Sequence, residues 1–325
     1  MAHTPGRAEA ADLAAPNRRL MVPPMASPYA EPRVVDDLAE CWFYHTMEIP
    51  GHGLVAGQWD LRGTEQEYTG GVDLRGRRVL EVGTASGHLC FYMERQGAEV
   101  VGYDLSDQQD WDVVPLASKD VDAEKAERRR HIRQLNNGWW LAHRAVGSAA
   151  KVVYGTVYDI PQAIGAVDVA IYGSVLLHLR DPFLALHNGL RLTRSTVVVT
   201  DLLNPRRAAA ANGAPVRSND VLGLTRKAAE LVRQGNVKQV ADRLRRYWRP
   251  TDLGGIPAME FVPEFEHGGP LDSWWYLTPE IVQQFVGVLG FGETEVHRHR
   301  QKSTWGDRDL FTVVGHRTQG RPSGG

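Results

Sequence analysis

Cysteine is nearly absent, with only Cys41 and Cys90 in 325 residues, which excludes a disulfide framework and suits a reducing cytoplasmic setting. No run approaches the roughly 18 apolar residues that span a bilayer. No basic segment followed by an apolar stretch stands at the start, so neither export nor membrane insertion is expected. Net charge is also small: the formal balance of −2 gives no global pull toward nucleic acid or an anionic membrane. A metal-ligand set is missing too, because His297 and His299 alternate along an expected strand with no matching cysteines or carboxylates. What is present is ordinary globular composition, 42% hydrophobic and 23% charged, in a chain long enough for one large core with additions.

Residues 1–32 carry Pro5, Pro16, Pro23, Pro24, Pro28 and Pro32 among alanines and charges, a composition that reads as a flexible tail. A second tail is expected over 318–325. Between them the apolar pattern divides into a capping segment over 33–72, an α/β core over 73–204, a helical insertion over 205–270 and a completion of the core over 271–317. In the core, "RRVLEV" reads as a strand, "GTASG" as a tight turn, "HLCFYMERQG" as a helix stopped by Gly97, and "AEVVGYDL" as the next strand. A helix over 125–145, strands "KVVYGTVYD" and "VDVAIYGS", a helix near Pro182 to Leu192 and strand "STVVVTDLL" follow. This alternation predicts a doubly wound, Rossmann-like parallel sheet with right-handed crossovers. A last helix from Pro279, a strand near Glu293 to His299 and a strand "LFTVVGH" add an antiparallel edge.

The chemistry concentrates at expected strand ends, where open α/β sheets bind ligands. Gly83 and Gly87 let backbone N–H groups come close to a nucleotide-like ligand, and Asp104, 17 residues beyond Gly87, is placed to accept two ribose hydroxyls. With Ala85 at the middle position, the bare turn also fits a dehydrogenase. Asp159 follows the third strand, where it either meets an adenine amino group or caps a turn. His178 lies at i+4 from Ser174; it is either a general base looking into the same cleft or a packed residue at a helix start.

The turn E-x-G-x-A-x-G resembles that of the class I methyltransferases, and the resemblance narrows toward the tRNA wobble-uridine (5-carboxymethoxyuridine-forming) group. It is carried by "CWFYHTMEIPGHGLVAGQWDLRG", "VLEVGTASGHLCFYMERQGAEVVGYDLSDQQDWD", "YGSVLLHLRDPFLAL" and "GGPLDSWWYLTPEIVQQFVGVLGF", and it covers about Cys41 to Leu203 and Gly268 to His316. It implies S-adenosylmethionine as cofactor, with Glu81 anchoring its methionine end. Glu81, Gly83, Thr84, Gly87, Asp104, Leu105, Tyr158, Asp159, Gly173 and Ser174 become the expected cofactor residues, and His178 and His45 the expected catalytic ones. No basic side chains match those that would hold a carboxylated cofactor analogue, so the ordinary cofactor is expected. Trp42, Phe43, Tyr44 and His45 form either a lid over the sulfonium or a satellite hydrophobic cluster. Trp274 and Trp275 allow the same pair of readings, with at least one expected to pack on the core.

From Arg206 to Pro250 eleven basic residues face three acidic ones. This segment reads as a grip on RNA or on an acidic acceptor, or as the solvated face of a lid or of a helix pair forming a homodimer. The expected acceptor is a small molecule of specialised metabolism, methylated in line on O, N or C. The rivals are a tRNA wobble uridine and a non-methylating, cofactor-binding use of the same fold.

Overall fold

The computed structural model describes residues 27–204, 256–264 and 271–320. The capping segment holds a hairpin of β1 (Met47–Ile49) and β2 (Gly53–Val55), a two-residue strand β3 (Trp59–Asp60) and a single turn α1 (Glu65–Tyr68). The core then runs β4 (Arg78–Val82), α2 (His88–Arg95), β5 (Glu99–Asp104), α3 (Val121–Val146), β6 (Lys151–Tyr154), β7 (Val167–Gly173), α4 (Pro182–Leu190) and β8 (Thr193–Leu202). Strands β9 (Met259–Phe261) and β10 (Trp275–Leu277), helix α5 (Pro279–Val288), and strands β11 (Glu293–Ser303) and β12 (Arg308–His316) complete the described residues.

The main sheet has the order β3-β11-β12-β8-β7-β4-β5-β6. Strands β6, β5, β4, β7 and β8 are parallel, and β12, β11 and β3 return antiparallel. This is the doubly wound sheet with the antiparallel edge that the sequence predicts. Strand order reverses between β4 and β7, and such a switch point opens a crevice at the strands' carboxyl ends.

Local chemistry sets the helices. Asp120 accepts the Ala123 amide at 3.0 Å to start α3, and Gly147, with φ 66°, ends it. Asp181 and Thr278 cap α4 and α5, each followed by proline in the first turn. Strand alternation divides the core into two layers. Val79 and Val198 pack with α2, α3 and the capping segment, whereas Leu80, Val82, Val197 and Val199 pack with α4 and α5.

Helix α3 starts at Val121 rather than 125, β11 runs on to Ser303 past His299, and Thr318 and Gln319, inside the second expected tail, donate to Gly290 O. Other boundaries also differ from expectation. Strand β6 stops at Tyr154 rather than reaching Asp159, because the Tyr103 hydroxyl fills the space beside Gly155 and donates to the Thr156 carbonyl at 2.9 Å, turning the chain. Tyr29 and Ala30, inside the expected tail, are docked: Ala30 N–H donates to Val152 O, and the Tyr29 hydroxyl accepts from Arg78. The capping segment supplies the sheet's edge, since β3 pairs with the end of β11. Within 205–270 the described stretch 256–264 contributes β9, which pairs antiparallel with β10. The expected helix pair and its basic cluster lie outside the described residues. Among the described residues no helix is long and apolar enough to cross a membrane.

Candidate active site

A cavity of about 860 Å³ lies at the carboxyl ends of β4, β5, β7 and β8, beneath the capping segment. A second hollow, about 600 Å³, opens at the opposite, amino-terminal end of the parallel strands among Arg77, Arg194 and Arg317.

The glycine turn after β4 is held from below. Gly83 N–H donates to Tyr103 O at 2.8 Å, and Ala85 N–H donates to Asp104 Oδ2 at 2.7 Å. Gly83 (φ 84°), Ala85 (φ 49°) and Gly87 (φ 90°) all take left-handed backbone. Gly83 and Ala85 stand on the cavity wall, while Thr84 and Gly87 are buried behind it. Asp104 and Leu105 also line the cavity. The Asp104 carboxylate accepts Leu105 N–H at 2.7 Å through its other oxygen. Burial raises its pKa to about 6 against the opposing pull of the two amides.

Glu81 does not reach the wall. Strand alternation places it on the face of Val79, under α2, where its carboxyl accepts the Thr84 hydroxyl at 2.7 Å. Desolvation pushes its pKa to about 8. A carboxyl raised in this way favours the fold while protonated, and that contribution is lost as pH rises from the ordinary range through 8. Glu81→Gln, which is never charged, is therefore expected to melt at a higher temperature than the parent at pH 8.5 and at a similar one at pH 5. Thermal unfolding across that range measures it; an equal difference at both pH values would reject the raised pKa.

After β6, Tyr158 lines the cavity and Asp159 turns outward, exposed, its N–H bonded to Thr156 O at 3.0 Å. After β7, Gly173 and the left-handed Ser174 (φ 49°) line it as well. Ser174 Oγ lies 3.0 Å from the Tyr68 hydroxyl, which ties the capping segment to the strand end. His178 belongs to one 3-10 turn, Leu176–His178, rather than to an α-helix, yet it reaches the same cavity. Its Nδ1 bonds the Asp272 carbonyl; since a carbonyl only accepts, Nδ1 carries the hydrogen and Nε2 is left as the ring's acceptor. Burial lowers the His178 pKa, so the ring is neutral at pH 7.

His45 is on the wall, and its buried Nδ1 has no hydrogen-bond partner among the described residues. Its ring lies 5.6 Å from that of His88, whose Nε2 is 3.3 Å from Glu65. Burial, then His88, lowers the His45 pKa. The four N-terminal aromatic residues divide: Tyr44 and His45 face the cavity, Phe43 packs in the core, and Trp42 stacks edge-on to His131 at 4.2 Å. Trp274 is the buried member of its pair.

Asp112, which no motif in the sequence marks, also stands on the cavity wall. Its side chain accepts from Arg180 N at 2.6 Å, from Arg180 Nη2 at 3.0 Å and from the Tyr158 hydroxyl, and its carbonyl accepts Trp274 Nε1 at 2.6 Å. The segment after β5 is thereby pinned across the cavity to the β7–α4 connection and the approach to β10. The signal was the acid-rich "DQQDWD", which has no periodicity to say where it folds.

A family model described as a methyltransferase domain matches residues 64–256, more than half of the chain. A search of curated proteins gives no match. Similar solved structures include an S-adenosylmethionine-dependent methyltransferase from Methanosarcina mazei (12% identity, 79% of this chain and 98% of that one, TM-score 0.43). Another is the 1,6-didemethyltoxoflavin-N1-methyltransferase of Burkholderia thailandensis (10% identity, 79% of each chain, TM-score 0.40), solved with its substrate and S-adenosylhomocysteine. A third is the magnesium protoporphyrin IX methyltransferase of Synechocystis (11% identity, 78% and 81%, TM-score 0.39), with bound S-adenosylhomocysteine.

Proposed function

Because the chain belongs to the methyltransferase-domain family, we propose that it methylates an O, N or C nucleophile of a small molecule in specialised metabolism. It is a class I S-adenosylmethionine-dependent methyltransferase, and S-adenosylmethionine is its cofactor. The observation that supports a small acceptor is the reach of the cavity: within about 860 Å³ it runs from the Asp104 turn on to Leu202 and Trp305, so walls continue beyond the cofactor's end, as in sites of roughly 300–1,000 Å³ that enclose small molecules.

The wall fits the cofactor. At Gly83 a Cβ would meet only Val175, at 3.4 Å, so the glycine leaves bare backbone facing space that a ligand can fill. Of the residues on the wall, Asp104 would offer a carboxylate to the ribose hydroxyls, Leu105 and Tyr158 would flank the nucleoside, and Gly173 and Ser174 would border the methionine end. Glu81 and Thr84 act from behind, fixing the turn, and Gly87 starts α2. Tyr44 and the neutral His45 close the site from the capping segment, where an aromatic face suits a cation and neutral imidazoles do not repel it. Asp159, exposed in its turn, stands apart from this set.

The cofactor, when bound, supplies an electrophilic methyl carbon on a sulfonium, so the protein's work is alignment, exclusion of water and removal of a proton. His178 is suited to the last task, with Nδ1–H fixed on Asp272 O and Nε2 free to accept. His178→Gln is expected to lower methyl transfer at pH 7 by about 10²-fold, to remove the acidic limb of the pH–rate profile and to leave S-adenosylhomocysteine affinity within threefold. Formation of S-adenosylhomocysteine with a panel of small acceptors measures the rate. A variant within threefold of the parent rate would leave His178 a packing residue.

A further inference from the structure

The cavity extends well beyond the turn that Asp104 serves. Its far end, across β8, is bounded by Tyr44, Trp59, Leu202, Trp305 and Arg308. Topology brings these residues together. Strand β12 runs antiparallel to β8, with Leu310 opposite Leu202, so Arg308, its first residue, stands at the carboxyl ends of the parallel strands. Alternation puts Arg308 on the face of Leu310, which packs in the same layer as Trp59 and Tyr44.

Among the described residues, four lysine and arginine side chains line the cavity. Lys125 pairs with Asp110 at 3.3 Å, Arg128 with Glu124 at 3.1 Å and Asp272 at 3.2 Å, and Arg180 with Asp112 at 3.0 Å. Arg308 has no carboxylate partner among the described residues. The adjacent Asp309 is taken by Arg300, at 2.6 Å. A half-buried guanidinium left without an anion is a ready carboxylate site, since its planar fork matches two carboxylate oxygens. Beside it Trp305 is 55% exposed and edge-on to Trp59, with ring centroids 6.3 Å apart. An indole surface so exposed lacks the cover that a flat apolar ligand would give it.

We propose that the acceptor is an aromatic carboxylic acid, with its carboxylate held by Arg308 and its ring against Trp305 and Trp59. The proposal rests on the small-molecule reading above and specifies its substrate class. The cofactor end and the acid end then lie on opposite sides of Ser174 and Leu202, with the acceptor's nucleophile between them.

The test is equilibrium dialysis of the full chain with benzoate, 1-naphthoate and indole-3-carboxylate, each against its neutral carboxamide, with and without saturating S-adenosylhomocysteine. At least one acid is expected to bind ten times more tightly than its amide. Arg308→Gln is expected to bring that ratio below two, Arg308→Lys to restore part of it, and Trp305→Ala to weaken acid and amide alike. Equal binding of every pair by the parent, or a ratio that survives in Arg308→Gln, would overturn the proposal. S-adenosylhomocysteine binding is read in the same cells. Its absence beside an Arg308-dependent acid preference would contradict the methyl-transfer reading and leave the acid site standing.

Discussion

Asp104→Ala is expected to lower affinity for S-adenosylhomocysteine by about 100-fold. A ribose diol donating to a partly desolvated carboxylate makes two charge-assisted hydrogen bonds of about 1.5–3 kcal/mol each, and tenfold in affinity is about 1.4 kcal/mol. Loss of the acceptor with partial replacement by water therefore comes to roughly two decades. The pH dependence distinguishes this from a general loosening of the turn. Burial raises the Asp104 pKa to about 6, and the hydroxyls favour the charged form. Affinity is expected to fall as pH drops below 6 in the parent and to stay flat in the variant. Calorimetric titrations at pH 5, 6 and 8 measure both effects; a variant with parental affinity, or with the parental pH dependence, would remove Asp104 from the site.

Two glycines of one turn are expected to fail in opposite ways. Gly87 has φ 90°, and a Cβ there would meet the Phe91 ring at 2.6 Å and Trp139 at 2.9 Å. Both rings are buried and packed with centroids 5.7 Å apart. Left-handed strain of about 1–2 kcal/mol and overpacking of about 1–3 kcal/mol make Gly87→Ala costly by roughly 3 kcal/mol. In a chain of this size that lowers Tm by on the order of 5–10 °C. Gly83 shares the strain at φ 84°, but its Cβ would enter the cavity, with only Val175 nearby. Gly83→Ala is expected to lose about 1 kcal/mol of stability and at least tenfold in S-adenosylhomocysteine affinity. Melting and titration of the pair decide the matter, and a reversed pattern would mean that Gly87, not Gly83, faces the ligand.

Much of the parallel sheet and its helices was legible because the signals are local: β4 and β7 are apolar runs closed by glycine, and α4 and α5 open with a cap followed by proline. Asp104 was legible for the same reason, since a strand end and a turn fix its position. Glu81 shows the limit of motif reading. Its place in the pattern suggested contact with the cofactor, but strand alternation turns it toward α2, where Thr84 occupies it. His178 reached the cavity without the helix that the i+4 spacing assumed, because Ser174 takes a left-handed conformation and a 3-10 turn follows. The rest of the site depends on contacts far apart in sequence. Tyr68 meets Ser174 across 106 residues, and Trp274 meets the Asp112 carbonyl across 162. Nor could two residues, Trp59 and Asp60, announce β3 by periodicity; they form a strand only because the end of β11 stands beside them.

The cavity at the carboxyl ends of the parallel strands is expected to hold S-adenosylmethionine. The most direct measurement is calorimetric titration of the full chain with S-adenosylmethionine and S-adenosylhomocysteine, beside a nicotinamide dinucleotide. Saturable, one-to-one binding of both sulfur nucleosides and none of the dinucleotide is expected. Binding of the dinucleotide alone, or no binding by well-folded protein, would contradict it.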